Sequence, residues 1–66
     1  MNDIEKLEKL FHHWKEHNKE HAETYRKWAE KTERLGRKQL SEVLTRLYND
    51  AKAMDKLFDE GVKSIH

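Results

Sequence analysis

The chain has 66 residues, 41% of them charged, with 14 Lys and Arg against 13 Asp and Glu. Because acidic and basic residues alternate along the chain, it lacks the concentrated basic surface of a nucleic-acid-binding protein. No apolar run approaches the ~18 residues of a membrane span and the N-terminus does not resemble a secretory leader, so we expect a cytoplasmic protein that does not enter a membrane.

The first half of the chain is predicted to form one long helix over about residues 3–35. Apolar residues recur at alternating spacings of three and four, and the chain has no proline. Asn2 with Glu5 matches a capping box, and Leu35 followed by Gly36 matches a C-terminal stop. The predicted a and d positions of this helix are Ile4, Leu7, Phe11, Trp14, Asn18, His21, Tyr25, Trp28, Thr32 and Leu35.

A turn at 36–38 and a second helix over about 38–60 follow, with Gly61 as its stop. The a and d positions of this helix are Leu40, Leu44, Leu47, Ala51, Met54, Phe58, Gly61 and Ile65. They mirror those of the first helix about Gly36, so that Phe11 faces Gly61 and His21 faces Ala51. The fold class is therefore predicted to be all-α, an antiparallel two-helix hairpin forming a single domain over 1–66.

A chain this short buries only about 60% of its unfolded surface and has no cysteine to form a disulfide. Its apolar stripe is wider than a two-helix seam, and a lone hairpin would leave one side of the large aromatic residues wet. We therefore expect a homodimer in which two hairpins pair into a four-helix bundle.

A row of histidines is the candidate chemistry of the chain. His13, His17 and His21 are spaced by four residues and so form a sloping row on one side of a helix. His17 with His21 is the best chelating pair, and Asp50 or Asp55 of the second helix, or a second copy of the chain, could supply further ligands. Imidazole ligands favour zinc, nickel, cobalt or copper over calcium or magnesium.

Known metal-site patterns fit this row in part. The segments 13–17 and 17–21 both read H-x-x-E-H, the inverted zinc-protease pattern, but 66 residues provide neither its substrate cleft nor its distant third ligand. Ferritin-type di-iron sites need Glu three residues before His and are disfavoured. Hemerythrin-like pairs match better, through His17 with His21 and His12 with Glu16, although on one helix only. We expect a binding or assembly module and not an enzyme.

Two further interpretations of the histidines stay open. Asn18 and His21 occupy predicted seam positions, where single polar residues fix helix register and oligomeric state. If His21 is buried in the seam as a neutral ring, assembly would weaken on acidification, which predicts a pH-sensitive assembly.

The first helix also resembles a known family over about residues 10–31. The residues that carry the likeness are His13-Trp14, His17-Asn18, His21-Ala22, Tyr25 and Trp28-Ala29. They are similar to the HW-x2-HN-x2-HA pattern of a family of small, uncharacterised prokaryotic helical proteins, from which the chain departs at Lys15, where the family usually has an apolar residue. The resemblance implies that the histidines and Asn18 form a recurring pattern, and it implies no activity.

Overall fold

The computed structural model describes residues 2–66 as two long helices, α1 (Asp3–Arg34) and α2 (Lys38–Ile65), which pack against each other. The predicted N-terminal cap of α1 is confirmed: the side-chain oxygen of Asn2 accepts a hydrogen bond from the Glu5 backbone N–H at 2.8 Å. Asp3 and Glu5 in the first turn and Lys31 and Arg34 in the last complement the helix dipole. The local sequence thus determines where α1 begins, and it places acidic residues at the N-terminal end of the helix and basic residues at its C-terminal end.

The chain reverses at Gly36, as predicted. Gly36 has a φ of 77°, in the left-handed region that glycine adopts without steric cost. The backbone N–H of Gly36 donates to the Glu33 carbonyl, and that of Arg37 donates to the Thr32 carbonyl at 2.9 Å. These two bonds form a Schellman motif, which satisfies carbonyls at the end of α1 and turns the chain into α2.

The second helix is longer than predicted. The sequence pattern places its end near residue 60 because of Gly61, but α2 continues to Ile65. A Cβ atom added at Gly61 would lie only 2.6 Å from the Phe11 ring. Gly61 therefore provides room for a close contact with Phe11 and does not end the helix, and the predicted pairing of these two residues is confirmed.

Small side chains form the seam between the helices. Five of the described residues are buried, and none is larger than threonine: Ala22, Ala29, Thr32, Ser41 and Ala51. The Ser41 hydroxyl donates to the Ala29 carbonyl across the seam at 2.8 Å. Small residues allow the two backbones to approach closely, and the hydroxyls satisfy their own hydrogen bonds inside the contact.

The predicted seam is therefore wrong in one respect. His21, Trp14 and Trp28, all at predicted d positions, are exposed in the hairpin, whereas the residues one position after the d sites, such as Ala22 and Ala29, are buried. The most deeply buried part of the contact is made of small residues, and the bulky residues at Trp14, His21 and Trp28 are rotated outward by roughly one residue, about 100° around the axis of α1. The neutral buried His21 on which the pH-sensitive interpretation depends is not present in the hairpin.

The hairpin is a single layer of two helices. Its Cα extents are 51 × 16 × 11 Å. Across residues 2–66, neither helix carries an apolar stretch long enough to cross a bilayer.

Candidate functional site

The two flanks of the hairpin differ sharply in chemistry. On one side, α1 and α2 border a groove lined by Arg26, Glu30, Tyr48 and Asn49, which continues past Glu16, Lys19 and Lys52. Apart from the buried Ala22 and Ala29, every residue that lines this groove is polar or is a tyrosine. Because the polar flanks of α1 and α2 lie together on one side of the pair, the other flanks of the two helices lie together on the opposite side.

That opposite side carries large apolar residues from both helices, which we call the apolar face. On α2 its members recur at spacings of three and four. On α1 they recur at spacings of three, four or seven, which keeps them on one side of the helix, about 80° around its axis from the seam. Several are more than 40% exposed, among them Trp28 at 49% and Leu57 at 62%. The apolar face comprises Trp14, His17, His21, Trp28 and Leu35 of α1 and Leu40, Val43, Leu47, Asp50, Met54 and Leu57 of α2.

The apolar face is almost free of charge, although the chain is 41% charged. Asp50 is its one formally charged member. Lys31 lies at its edge, where its Nζ sits 4.7 Å from the centre of the Trp28 ring in a cation–π contact. A surface of this composition is typical of a protein interface and not of a solvated helix flank.

The histidine row crosses this face. The rings of His17 and His21 meet edge to face with centroids 4.5 Å apart, and the His13 and His17 rings stack at 6.1 Å. The Tyr25 ring extends the row, 6.2 Å from that of His21. All three histidines are exposed, so the four-residue spacing brings the rings together as predicted but on the outer surface of the hairpin.

The contacts of Asn18 determine which residues of α2 lie beside the histidine row along the length of the hairpin. Its amide nitrogen donates to the Ala51 carbonyl at 2.6 Å and to the Asp55 carboxylate at 3.2 Å. Since Asn18 lies between His17 and His21, the pair stands at the height of residues 50–55 of α2. Asp50, the polar member of the α2 stripe, therefore lies at the same height as the histidines, about midway along the hairpin.

The predicted metal ligands are only partly assembled within one chain. Among residues 2–66, no three His, Cys, Asp or Glu side chains are grouped so that they could hold one metal ion. Asp55 accepts from Asn18 inside the helix contact, which leaves Asp50 as the carboxylate on the same face as His17 and His21. The hairpin thus offers a pair of imidazoles and, separately, one carboxylate.

Ion pairs reinforce the half of the hairpin away from the turn. Lys15 Nζ lies 2.6 Å from the Asp59 carboxylate across the helices, and this hydrogen bond raises the pKa of Lys15 above its usual value. His66 contacts Glu8 at 2.7 Å. These exposed contacts add to Asn18 in setting the register, although each pair contributes little to stability in water.

A second cluster of charges lies along α1 itself. Arg26 bridges Glu23 and Glu30, and its hydrogen bond to Glu23 lowers the pKa of that carboxyl. The same hydrogen bond raises the pKa of Arg26. Arg26 also lines the polar groove, so the cluster keeps this flank charged and hydrated.

Asn18→Ala is expected to lower the free energy of unfolding by about 1 kcal/mol, because it removes the hydrogen bonds that link α1 to α2 at mid-length. Thr24→Ala is the matched control, since the Thr24 hydroxyl bonds only to the Glu20 carbonyl of its own helix. Urea unfolding followed by circular dichroism measures both. Equal effects of the two changes would show that Asn18 does not connect the helices energetically.

The histidines were predicted from the sequence, whereas the division of each helix into two separate stripes was not. The signal was present on α2, where Leu40, Val43, Leu47, Met54 and Leu57 recur at helical spacing beside a second series. That second series, Ser41, Leu44, Tyr48, Ala51, Asp55 and Phe58, supplies the seam. Two complete series on one helix indicate two contact surfaces.

Together these features define a small two-helix hairpin with one polar flank and one apolar face crossed by histidines. The chain belongs to the family described as "Domain of unknown function (DUF8180)", whose model matches residues 7–65 and so includes nearly all of both helices. No curated protein and no solved structure matches it. Membership agrees with the expected likeness to an uncharacterised family; the HW-x2-HN-x2-HA motif as that family's signature and a prokaryotic origin stay predictions.

Proposed function

We propose that this protein is a self-associating assembly module in which two copies pair through the apolar face into an antiparallel four-helix bundle. Its role is binding and not catalysis. The observation that carries the proposal is the apolar face itself: large apolar side chains line one side of a hairpin whose most deeply buried residues are all small.

A single layer of two helices is an incomplete core. The buried hydrophobic residues among those described are three alanines, whereas Trp14 and Trp28 remain 41% and 49% exposed. Stable domains bury their large apolar side chains between at least two packed layers. A second layer on the apolar face would supply the burial that the hairpin lacks.

The apolar face is large enough for a stable interface. With Cα extents of 51 and 16 Å along its two longer axes, the broad side of the hairpin that carries the apolar face has a projected area of about 800 Å², and each partner in a standard specific interface buries about that much surface. The long, narrow shape of this footprint fits another pair of helices.

A second copy of the chain complements this face in shape and charge. A twofold axis parallel to the long axis of the hairpin places α1 of one copy over α2 of the other at the same height. All neighbouring helices are then antiparallel, which aligns their dipoles favourably. The tryptophans of α1 cover the aliphatic residues of α2, and the His17–His21 pair of one copy faces Asp50 of the other, so that polar groups meet polar groups.

Tryptophan emission tests the proposal, because both tryptophans of the chain lie on the apolar face. We expect blue-shifted emission that is shielded from acrylamide at high protein concentration and moves to the red on dilution. Trp14→Phe and Trp28→Phe assign the shift to each ring. Red-shifted, fully quenchable emission at every concentration, with helical circular dichroism retained, would contradict self-association through this face.

A further inference from the structure

We infer that the paired hairpins form a transition-metal site, in which His17 and His21 of one copy and Asp50 of the second copy bind a divalent ion. This inference rests on the proposed self-association. The chemical class is a borderline-soft cation such as zinc or cobalt(II), which prefers imidazole nitrogen and accepts one carboxylate oxygen.

The two histidines of the proposed site are already neighbours in one hairpin, and rotation of their rings about the side-chain bonds would bring a nitrogen of each to one ion. His17 and His21 lie one helical turn apart with ring centroids at 4.5 Å, and both are exposed on the same surface. Neither ring makes a hydrogen bond or ion pair to a side chain of the described part of its own chain; the histidine that does so is His66. The two imidazoles are thus available to an ion that approaches from the apolar face.

The position of Asp50 along the hairpin allows the second copy to supply the third ligand. The contacts of Asn18 with Ala51 and Asp55 place the histidine pair at the height of Asp50. A twofold axis parallel to the helices preserves height, so Asp50 of the second copy faces His17 and His21 across the interface. Two histidines, one carboxylate and a water would complete a four-coordinate site.

The position of these residues within the apolar face supports the same conclusion. His17, His21 and Asp50 are its polar members, and they form a belt midway along a surface otherwise built of tryptophan, leucine, valine and methionine. Burial of unpaired polar groups in an interface is costly. A shared ion satisfies all three groups at once, and the twofold axis repeats the arrangement, which gives two ions per dimer.

Native mass spectrometry of tag-free protein, titrated with zinc, tests the inference, with cobalt(II) absorption as a report on coordination. We expect two ions per dimer. His17→Ala and His21→Ala should each weaken zinc binding by on the order of tenfold or more, because even outer-shell changes at metal sites cost 10- to 100-fold. Asp50→Asn should weaken binding similarly, while His12→Ala, on the other flank of α1, should leave it unchanged.

The alternative outcomes separate this inference from the proposed function. A dimer that takes up no zinc would overturn the metal site and leave the assembly intact. A monomer that binds one ion through His17 and His21, with no effect of Asp50→Asn, would overturn both. Equal weakening by His12→Ala would mean scattered surface binding and would also overturn the site.

Discussion

Ala51→Leu is expected to destabilise the protein by about 1–3 kcal/mol. Ala51 is 5% exposed in the helix contact, and its carbonyl accepts the hydrogen bond from Asn18. A leucine there would have no free space inside the contact and would push α2 away from α1. It would also lengthen the Asn18 bond, so steric strain and loss of the inter-helix hydrogen bond would act together.

Ala53→Leu is the matched control for this change. Ala53 lies two residues further along the same helix and is exposed, so the same added side chain is not forced into the contact between the helices. We expect its effect to be within about 0.5 kcal/mol of zero. Urea unfolding at one fixed protein concentration compares the two variants, and similar midpoints would mean that the small-residue seam does not hold the helices together.

Leu47→Glu is expected to weaken self-association by roughly 100-fold or more, since an unpaired buried charge costs about 3 kcal/mol or more. Leu47 is 42% exposed in the hairpin, and a glutamate there would remain solvated in the monomer. In the dimer the twofold axis would bury two such charges. The variant should therefore behave as a monomer with a lower thermal midpoint that no longer depends on protein concentration.

Ala53→Glu provides the control for charge alone. It adds the same negative group to an exposed position of α2 outside the apolar face. We expect this variant to associate like the original protein. If Leu47→Glu and Ala53→Glu have the same mass in solution, the apolar face is not the contact surface between copies.

The elements that local chemistry determines could be predicted from the sequence. The Asn2 cap and the left-handed Gly36 follow from the properties of single residues, and both are present. The pairing of Phe11 with Gly61 followed from the mirror symmetry of the two stripes. These features depend on residue type and on spacing along the chain, and both can be read from the sequence without knowledge of how the helices pack.

The rotation of each helix could not be predicted in the same way. Trp14 and Ala22 are both apolar residues of α1, and hydrophobicity alone favoured the larger of the two for the seam. Close packing selected the alanine because two backbones can approach only where side chains are small. The same rotation explains why the proximity of His17 and His21 was predicted correctly and the burial of His21 was not.

The mass of the tag-free protein in solution, measured by sedimentation equilibrium over a wide concentration range, tests the central claim most directly. An affinity tag is omitted because it would add histidines beside the histidine row. Pairing through the apolar face predicts twice the chain mass of 8.1 kDa, with dissociation only on strong dilution. A mass of 8.1 kDa at every concentration would contradict it.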